Sequence, residues 1–465
     1  MNWVLFGVFA YVVVQFLIGV VVSSRIKNES DYLLAGRSFG YGLATFSIFA
    51  TWFGAETCIG AAGRFYKDGL SGGSADPFGY SACLLFMGLV FALPLYRRKL
   101  TTVADLFRER YSVGVERFVV LLMAPTSIFW AAAQIRAFGQ MIDATAGTGV
   151  QISTAIAAAL VIGYTFTGGL RADVLTDFVQ GIGIIIGLAA LVIVIGSEPG
   201  TISNAWKAVG PERLQIFGGK DTSWWQVLEA WAVPIFGSVV AQELVSRIIA
   251  AKSPKVAQRS TFLGAGMYLT IGLVPAFLGL IGASLLPDLK DPEQFLPMLA
   301  QKHLHTFLYI LFIGGLISAI LSTVDSTLLA AAAVVSHNLI VPLCPGMSES
   351  TKLRAARIGV VVGGVIAYGL ALSASTIYEL VESASSFGSA GIFVVMTFGL
   401  FSSFGGVRAA MASLAAGTGV WVFGSLVGKF QCPYLVSLGA ALAAFLIVGL
   451  MEKTHSRPPL TTPAT

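Results

Sequence analysis

The sequence predicts an all-α integral membrane protein of about thirteen transmembrane helices, arranged as a five-plus-five inverted repeat with two broken helices. Of the 465 residues, 56% are hydrophobic and only 11% are charged, whereas soluble globular chains carry roughly 25% charged residues. The chain contains about thirteen apolar runs of roughly 20 residues, the length that crosses a bilayer. Two of these runs, five spans apart, are interrupted near their centres, which is typical of inverted-repeat membrane proteins.

The apolar runs divide the chain into two halves with flanking spans. They cover residues 3–22, 42–66, 78–96, 115–142, 151–168, 172–196, 224–250, 259–284, 306–336, 355–374, 378–402, 407–428 and 432–450. We expect a leading helix and inner loop in 1–41, a first repeat of five spans in 42–196 and an outer loop in 197–223. A second repeat of five spans follows in 224–402, then two trailing spans in 403–450 and a tail in 451–465.

The basic residues indicate how the chain is oriented. Arg25 and Lys27 follow the first apolar run rather than precede it, which favours a first span over a cleaved signal peptide. With the N-terminus outside and the C-terminus cytoplasmic, most of the 29 Lys and Arg fall on the inner side, as the positive-inside rule requires. We expect a bacterial inner membrane protein. The charges lie in short clusters between apolar runs, which does not indicate nucleic-acid binding. No feature of the sequence specifies an oligomeric state.

The first interrupted span is 42–66. It reads GLATFSIFATWFGAETCIGAAGRFY and carries Gly54 and Glu56 near its centre. Glycine weakens a helix interior, and a carboxylate at bilayer depth is costly, so both are tolerated where the backbone faces a cavity or an ion. Residues about 50–56 are therefore predicted to break the helix.

The second interrupted span is 224–250, where VPIFGS places Pro234 and Gly237 near the centre. Interrupted helices at corresponding positions of two halves indicate a transporter with its binding site at the midplane of the membrane. The alternative is that Pro234 and Gly237 are ordinary kinks, which are common in membrane helices.

The ninth span carries a stripe of small and polar residues. Ala319, Ser322, Thr323 and Ser326 are spaced i, i+3, i+4 and i+7, so they lie on one face of a helix. Hydroxyls on adjacent turns, with carbonyls released at a helix break, suit a hard cation such as sodium. The alternative is a helix-packing seam. Asp325 in the same span and Asp177 in the sixth favour an ion or proton path, since acids in spans mark such paths.

Five segments, taken in order, resemble the sodium:solute symporter family over nearly the whole chain. They are ATWFGAETCIG (50–60), FWAAAQIRAFG (129–139), YTFTGGLRADVLTDFVQ (164–180), SRIIAAKS (246–253) and SAILSTVDS (318–326). The resemblance implies the fold of the bacterial leucine transporter, with Na⁺ as coupling ion and no organic cofactor. It also implies symport of a small-molecule solute across the lipid bilayer by alternating access.

The same resemblance implies two cation sites. The first would use the backbone carbonyls of Ala50, Phe53 and Ala319 and the hydroxyls of Ser322 and Thr323. The second, carried by some members, would use Asp177, Ser322, Asp325 and Ser326. The first set contains no carboxylate, so we expect it to bind sodium weakly enough to release it into a low-sodium cytoplasm. Sodium would favour the outward-open form through its higher affinity for that form.

The solute site is predicted beside the breaks, where aromatic faces hold apolar groups or cations. The candidate residues are Trp52, Glu56, Phe129, Trp130, Phe236 and Gln242. The motifs look closest to the choline-transporter-like branch, which implies tryptophans around a quaternary ammonium. Ala241 and Glu56 depart from that branch, which has tryptophan and glycine there. The predicted solutes are therefore an amine, a quaternary ammonium or an amino-acid-like zwitterion.

Several other functional classes are alternatives to a sodium symporter. The chain contains no G-x-x-x-x-G-K-[ST] motif for an ATP-driven pump and no Ser/His/Asp order for a hydrolase, so we expect a secondary transporter rather than an enzyme. One alternative is a proton-coupled symporter of a monocarboxylate or similar solute, using Asp325 or Asp177. Another is a membrane sensor built on the same scaffold.

Overall fold

The computed structural model describes Val13, Leu17 and residues 29–219, 222–374 and 376–452. Within those residues the chain is helical, with one isolated β-bridge between Phe39 and Ala251, so the predicted all-α class is confirmed. Apart from two residues, the predicted first span 3–22 lies outside the described residues, as does the tail beyond 452.

The helices of the first half alternate between long spans and short segments. They are α1 (Glu29–Leu34), α2 (Tyr41–Ala50), α3 (Ala62–Asp68), α4 (Tyr80–Phe86), α5 (Ala92–Arg97), α6 (Ala104–Arg110), α7 (Val113–Ala146), α8 (Val150–Ser197) and α9 (Thr201–Lys207). Wider π-helical turns at Glu56–Ala61, Ser74–Gly79 and Met87–Phe91 connect several of them, and short 3₁₀ turns lie at Ala35–Arg37, Gly69–Gly73 and Pro211–Leu214.

The second half continues in the same manner. Its helices are α10 (Trp224–Ala232), α11 (Gln242–Ile249), α12 (Pro254–Leu280), α13 (Gly282–Leu285), α14 (Phe295–His303), α15 (Thr306–Val335), α16 (Val341–Leu343), α17 (Glu349–Ser373), α18 (Ile377–Ser386), α19 (Ser389–Phe401), α20 (Val407–Val422) and α21 (Pro433–Met451). Its π-helical turns are Val233–Gly237, Ser336–Ile340 and Phe423–Val427, and its 3₁₀ turns are Ser238–Val240 and Pro292–Gln294.

Several of these segments have the length and composition of membrane spans. Within the described residues, eight helical segments qualify, or up to ten if two bent pairs each count as one span. The predicted spans 151–168 and 172–196 fall within the single element α8. The total of thirteen spans and the repeat boundaries stay predictions.

Side-chain caps fix where several long helices begin. The Ser112 hydroxyl accepts a hydrogen bond from the Val115 amide at 3.3 Å, ahead of α7. The Ser253 hydroxyl does the same for the Val256 amide at 3.2 Å, ahead of α12. These bonds satisfy amides that have no partner inside the helix. Helix α7 ends where Gly147 adopts the left-handed conformation, with φ of 64°.

The helix with the polar stripe lies at the centre of the bundle. In α15 and its C-terminal extension to Leu343, 71% of the most apolar stretch is buried, against 28% in each of the trailing helices α20 and α21. Helix α15 packs against α7 and α8, whereas the first interrupted helix packs against α12. The stripe is thus shielded from the periphery, where apolar side chains of α20 and α21 are exposed.

Candidate functional site

The first interrupted span breaks where the sequence predicts. Helix α2 ends at Ala50, and residues 51–54 form a turn before the π-helical turn Glu56–Ala61. Among the described residues, no backbone amide donates to the carbonyl oxygens of Ala50 or Phe53, although the carbonyls of Phe49 and Gly54 are bonded. Buried carbonyls without amide partners are acceptors for a cation or a polar ligand.

Gly54 brings this break into direct contact with the polar stripe of α15. A Cβ atom on Gly54 would lie 2.9 Å from the Thr323 hydroxyl and 3.0 Å from the Ala319 carbonyl oxygen. Only a glycine allows so close an approach of the two backbones. All five residues predicted for the first sodium site are at most 4% exposed: Ala50, Phe53, Ala319, Ser322 and Thr323. The Thr323 hydroxyl donates to the Ala319 carbonyl at 3.2 Å.

The second predicted cation site already holds a positive side chain. Asp177 is fully buried, accepts hydrogen bonds from the hydroxyls of Ser47, at 2.9 Å, and of Ser322, and lies 3.7 Å from the Arg247 guanidinium. Arg247 is 1% exposed and also donates to the Glu243 carbonyl at 2.9 Å and to the Ser47 carbonyl at 3.3 Å. The Arg247 guanidinium thus partly neutralises the carboxylate on which that site depends.

The other two residues predicted for that site have different partners. The Ser326 hydroxyl accepts from Arg247 and donates to the Ser322 carbonyl at 2.9 Å, so it belongs to the same polar group. Asp325 accepts a hydrogen bond from the Thr165 hydroxyl of α8. Adjacent residues on a helix project about 100° apart, which accounts for the divergence of Asp325 and Ser326.

The second interrupted span bends by 50° between residues 224–240 and α11. Its π-helical turn contains Pro234, and Ala241 is extended at φ −64° and ψ 128°. Gly237 allows the break to touch α18, since a Cβ atom there would lie 2.1 Å from the Ser385 carbonyl oxygen. The interruption predicted at VPIFGS is confirmed, and the change of direction falls four residues after Gly237.

Three aromatic side chains, Trp52, Tyr80 and Trp130, pack together next to the first break; we call them the aromatic group. The rings of Trp52 and Trp130 stack with centroids 6.4 Å apart and an interplanar angle of 15°. Tyr80 lies 5.3 Å from Trp52 and 6.0 Å from Trp130. The Trp52 indole N–H points to the Glu243 carboxylate at 3.5 Å. Trp52 and Trp130 are thus neighbours, as their shared assignment to the solute site requires.

Two cavities flank this group and meet at Ser385. The glutamate cavity, of about 370 Å³, is lined by Glu56, Tyr80, Glu229, Glu382 and Ser385. The tryptophan cavity, of about 330 Å³, is lined by Trp130, Ala241, Glu243 and Ser385. The Ser385 hydroxyl accepts from Ser238 at 3.3 Å and lies 3.4 Å from the Tyr80 hydroxyl. These contacts separate the two cavities, and both volumes include space that is open to solvent.

A polar network around Asn338 joins several loops and helix ends at one end of the bundle. Asn338 donates to Asp105 at 2.8 Å and to Glu116 at 2.7 Å. Arg108 bridges the same two carboxylates at 3.0 Å and 3.2 Å. The Thr102 hydroxyl donates to the Asn338 side-chain oxygen at 2.6 Å. The network ties the loop after α5 and the start of α7 to the turn after α15.

Three other residues predicted for the solute site lie apart from the aromatic group. The Phe236 ring packs on Phe393 at 5.0 Å and Phe86 at 5.6 Å. The Gln242 side-chain oxygen accepts from the Val103 amide at 2.8 Å, which anchors the loop before α6. Phe129 is partly buried against the core.

Sequence reasoning missed several residues that line or support the site, namely Tyr80, Asp76, Glu243, Arg247, Tyr268 and Ser385. Two signals were present: Glu243 follows Gln242 directly, and Arg247 lies in the SRIIAAKS motif. Tyr80, Tyr268 and Ser385 carry no local signal, because each approaches the site only through tertiary packing.

Sequence comparison identifies the family. A family model described as the sodium:solute symporter family matches residues 32–417. The chain is 28% identical over 388 residues to high-affinity choline transporter 1 of Caenorhabditis elegans, covering 77% of this chain and 66% of that protein. It is 28% identical over 400 residues to the Homo sapiens protein of that name, covering 81% and 69%. This chain therefore spans about two thirds of those relatives. It is 26% identical over 460 residues to the sodium/pantothenate symporter of Escherichia coli strain K12, covering 94% of both.

Solved structures show the same fold. A Na⁺-coupled sialic acid symporter in a substrate-bound, outward-open state superposes with a TM-score of 0.85 at 18% identity, over 97% of this chain and 98% of that one. A nucleobase-cation-symport-1 family transporter in a closed conformation gives a TM-score of 0.62 at 16% identity, over 91% and 94%. The predicted leucine-transporter type of fold is confirmed. Its match to the family model over most of its length shows that this chain belongs to the sodium:solute symporter family.

Proposed function

We propose that this transporter uses the sodium gradient to import a small organic cation by alternating access. The observation that carries the proposal is the position of Glu56. Its carboxylate is 3% exposed and lines the glutamate cavity. It belongs to the same interrupted span as the Ala50 and Phe53 carbonyls, which accept no backbone amide among the described residues. One broken helix would therefore contact both the ion and the solute.

The sodium ion would bind between the first break and α15. Its ligands would be the carbonyls of Ala50, Phe53 and Ala319 and the hydroxyls of Ser322 and Thr323. The close approach at Gly54 supports this assignment, because it brings the break to the polar stripe. An ion held between the two elements stabilises the conformation in which they touch, and it does so only by its higher affinity for that conformation.

A single sodium ion would be coupled in each cycle. The Arg247 guanidinium lies beside Asp177 and donates to Ser326, so a second sodium at those residues would meet a fixed positive charge. Like charges at close range repel strongly in a buried site. The first predicted cation site would therefore hold sodium, and Arg247 would take the place of an ion at the second.

The solute is proposed to be cationic because the cavity is acidic and its aromatic neighbours are electron-rich. Glu56, Glu229 and Glu382 line one small cavity, and a cleft lined by one sign of charge concentrates the opposite charge. Tyr80 lines that cavity and packs against Trp52 and Trp130, so an electron-rich ring that attracts cations borders it. Among the relatives, the choline transporters are named for a cation, whereas the pantothenate symporter is named for a carboxylate.

The chain belongs to a family of integral membrane transporters and has several apolar helices of spanning length. We place it in a bacterial inner membrane with its N-terminus outside and its C-terminus in the cytoplasm. The asymmetry of basic residues supports this orientation. The glutamate cavity would then open toward the outside, and the Asn338 network would close the cytoplasmic side.

Uptake into proteoliposomes tests the coupling ion. Solute uptake is expected to require an inward sodium gradient; undiminished uptake in potassium with a pH gradient would establish the proton-coupled alternative instead. Ser322→Ala combined with Thr323→Ala removes two of the five proposed ligands and is expected to raise the sodium concentration for half-maximal uptake at least tenfold, since one lost ligand bond is worth about 1.4 kcal/mol. An unchanged sodium dependence in this double variant would contradict the assigned site.

A further inference from the structure

The geometry around Glu56 specifies what kind of cation the site accepts, on the basis of the proposed function. We infer that the solute carries its charge on an ammonium group with N–H bonds, as a protonated primary or secondary amine. Glu56 would accept those hydrogen bonds. A quaternary ammonium, which has no N–H bond, would be the poorer ligand.

Glu56 is a buried acceptor without a partner on one oxygen. Its side chain is 3% exposed, it lines the glutamate cavity, and no group among the described residues donates a hydrogen bond to its Oε2 atom. The described residues provide no lysine, arginine or histidine that forms an ion pair with it. Burying an unpaired carboxylate oxygen costs free energy that a ligand with an N–H donor recovers.

Asp76 adds a second acceptor next to Glu56. It is 2% exposed, and its Oδ2 atom accepts from the Thr57 hydroxyl at 2.6 Å and the Tyr268 hydroxyl at 2.9 Å. Its Oδ1 atom has no donor among the described residues. Because Thr57 directly follows Glu56, the two carboxylates belong to one buried region, although Asp76 does not line the glutamate cavity.

The walls of the glutamate cavity suit an N–H cation better than a quaternary ammonium. Among the described residues that line it, Tyr80 alone contributes an aromatic ring; the others are aliphatic side chains, Ser385 and three glutamates. A quaternary ammonium is held by several ring faces, which this cavity lacks. A primary ammonium has three N–H donors, and charge-assisted hydrogen bonds to carboxylates are about twice as strong as neutral ones.

A series of solutes that differ only in N-methylation tests this inference. Ethanolamine, N-methylethanolamine, N,N-dimethylethanolamine and choline share one positive charge and one hydroxyl, whereas their N–H count falls from three to zero. Their affinities for the purified full-length protein in sodium are measured by thermal shift and by uptake into proteoliposomes. Affinity is expected to fall along the series, by at least about tenfold from ethanolamine to choline, since a hydrogen bond to a charged group is worth about 1.5–3 kcal/mol.

Variants separate the role of Glu56 from a general loss of charge. Glu56→Gln is expected to reduce the differences in affinity among the four solutes, because ethanolamine loses the most affinity. Sodium alone is still expected to stabilise this variant. Glu229→Gln is the matched control in the same cavity, because both Glu229 oxygens already accept backbone amides, from Tyr434 at 2.7 Å and Leu435 at 2.8 Å. It is expected to weaken all four solutes alike and to leave their order unchanged.

Two failures are distinguishable. If choline binds as tightly as ethanolamine or more tightly, the inference is overturned, whereas the proposed cation symport is unaffected. Sodium-dependent binding of pantothenate with no binding of the four cations would overturn both, as would the absence of sodium-dependent binding throughout the series. If the affinities of the four solutes differ in Glu56→Gln as they do in the wild type, the inference is also overturned, since another group would then accept the N–H hydrogen bonds.

Discussion

Gly54→Ala tests whether contact between the first break and α15 builds the sodium site. The new Cβ atom would lie 3.0 Å from the Ala319 carbonyl oxygen, and ordinary contact begins at 3.4 Å, so the backbones must separate by about 0.4 Å. The Ala319 oxygen is a backbone atom and cannot rotate away. Overpacking of this kind costs about 1–3 kcal/mol. If this overpacking destabilises the sodium-bound form and not the sodium-free form, the half-saturating sodium concentration rises by about five- to a hundredfold.

The assay is a sodium titration of thermal stability, repeated for uptake in proteoliposomes. Gly60→Ala is the matched control, because Gly60 lies in the same interrupted span and is buried, yet a Cβ atom there meets nothing within 4 Å. This control is expected to keep the wild-type sodium dependence. A Gly54→Ala protein that folds and titrates with sodium like the wild type would refute the idea that the ion binds at this contact.

Two further substitutions examine the aromatic group and the buried ion pair. Trp130→Ala is expected to weaken solute binding by about 1 kcal/mol, because its ring packs against Tyr80 at the wall of the glutamate cavity. Phe236→Ala, whose ring packs elsewhere, is expected to keep solute affinity, and equal losses in a binding titration would show that Trp130 does not act through Tyr80. Arg247→Met leaves the Asp177 carboxylate without its cation and is expected to destabilise the protein by about 3–5 kcal/mol. Adding Asp177→Asn to this variant is expected to restore part of the lost stability, measured by thermal unfolding. If the destabilisation of the double variant equals the sum of the two single effects, the two residues are not coupled.

The interruptions could be predicted from sequence because helix breakers act locally. Gly54 and Pro234 are poor helix-interior residues wherever they occur. The first break contains Gly54, and the second span leaves α-helical geometry at the turn containing Pro234 before it changes direction at Ala241. The stripe containing Ser322 and Thr323 was predictable for a similar reason, since helical periodicity alone places those residues on one face. The contact between that stripe and the break was expected from the family resemblance, and Gly54 supplies its geometric basis.

Side-chain partners across the bundle could not be predicted in this way. Arg247 pairs with Asp177, which lies 70 positions away in the sequence, and no local sequence pattern predicts this contact. Gln242 is predicted to face the solute, and that assignment stays a prediction. Its side-chain oxygen accepts the Val103 amide, a contact that no local pattern indicates. Phe236 sits in the predicted break, yet the π-helical turn directs its ring toward Phe86 and Phe393.

The arginine beside Asp177 has a consequence for how steeply a solute can be concentrated. With one sodium ion and one monovalent cation per cycle, two charges cross the membrane, worth about 4.6 kcal/mol at 100 mV. A tenfold sodium gradient adds about 1.4 kcal/mol, so the accumulation limit is about four orders of magnitude. A second mobile sodium would add about 3.7 kcal/mol more. On the proposed stoichiometry, Arg247 would supply the positive charge beside Asp177 in place of a second sodium ion. The maximum accumulation would then be lower, and fewer sodium ions would enter the cell for each solute molecule.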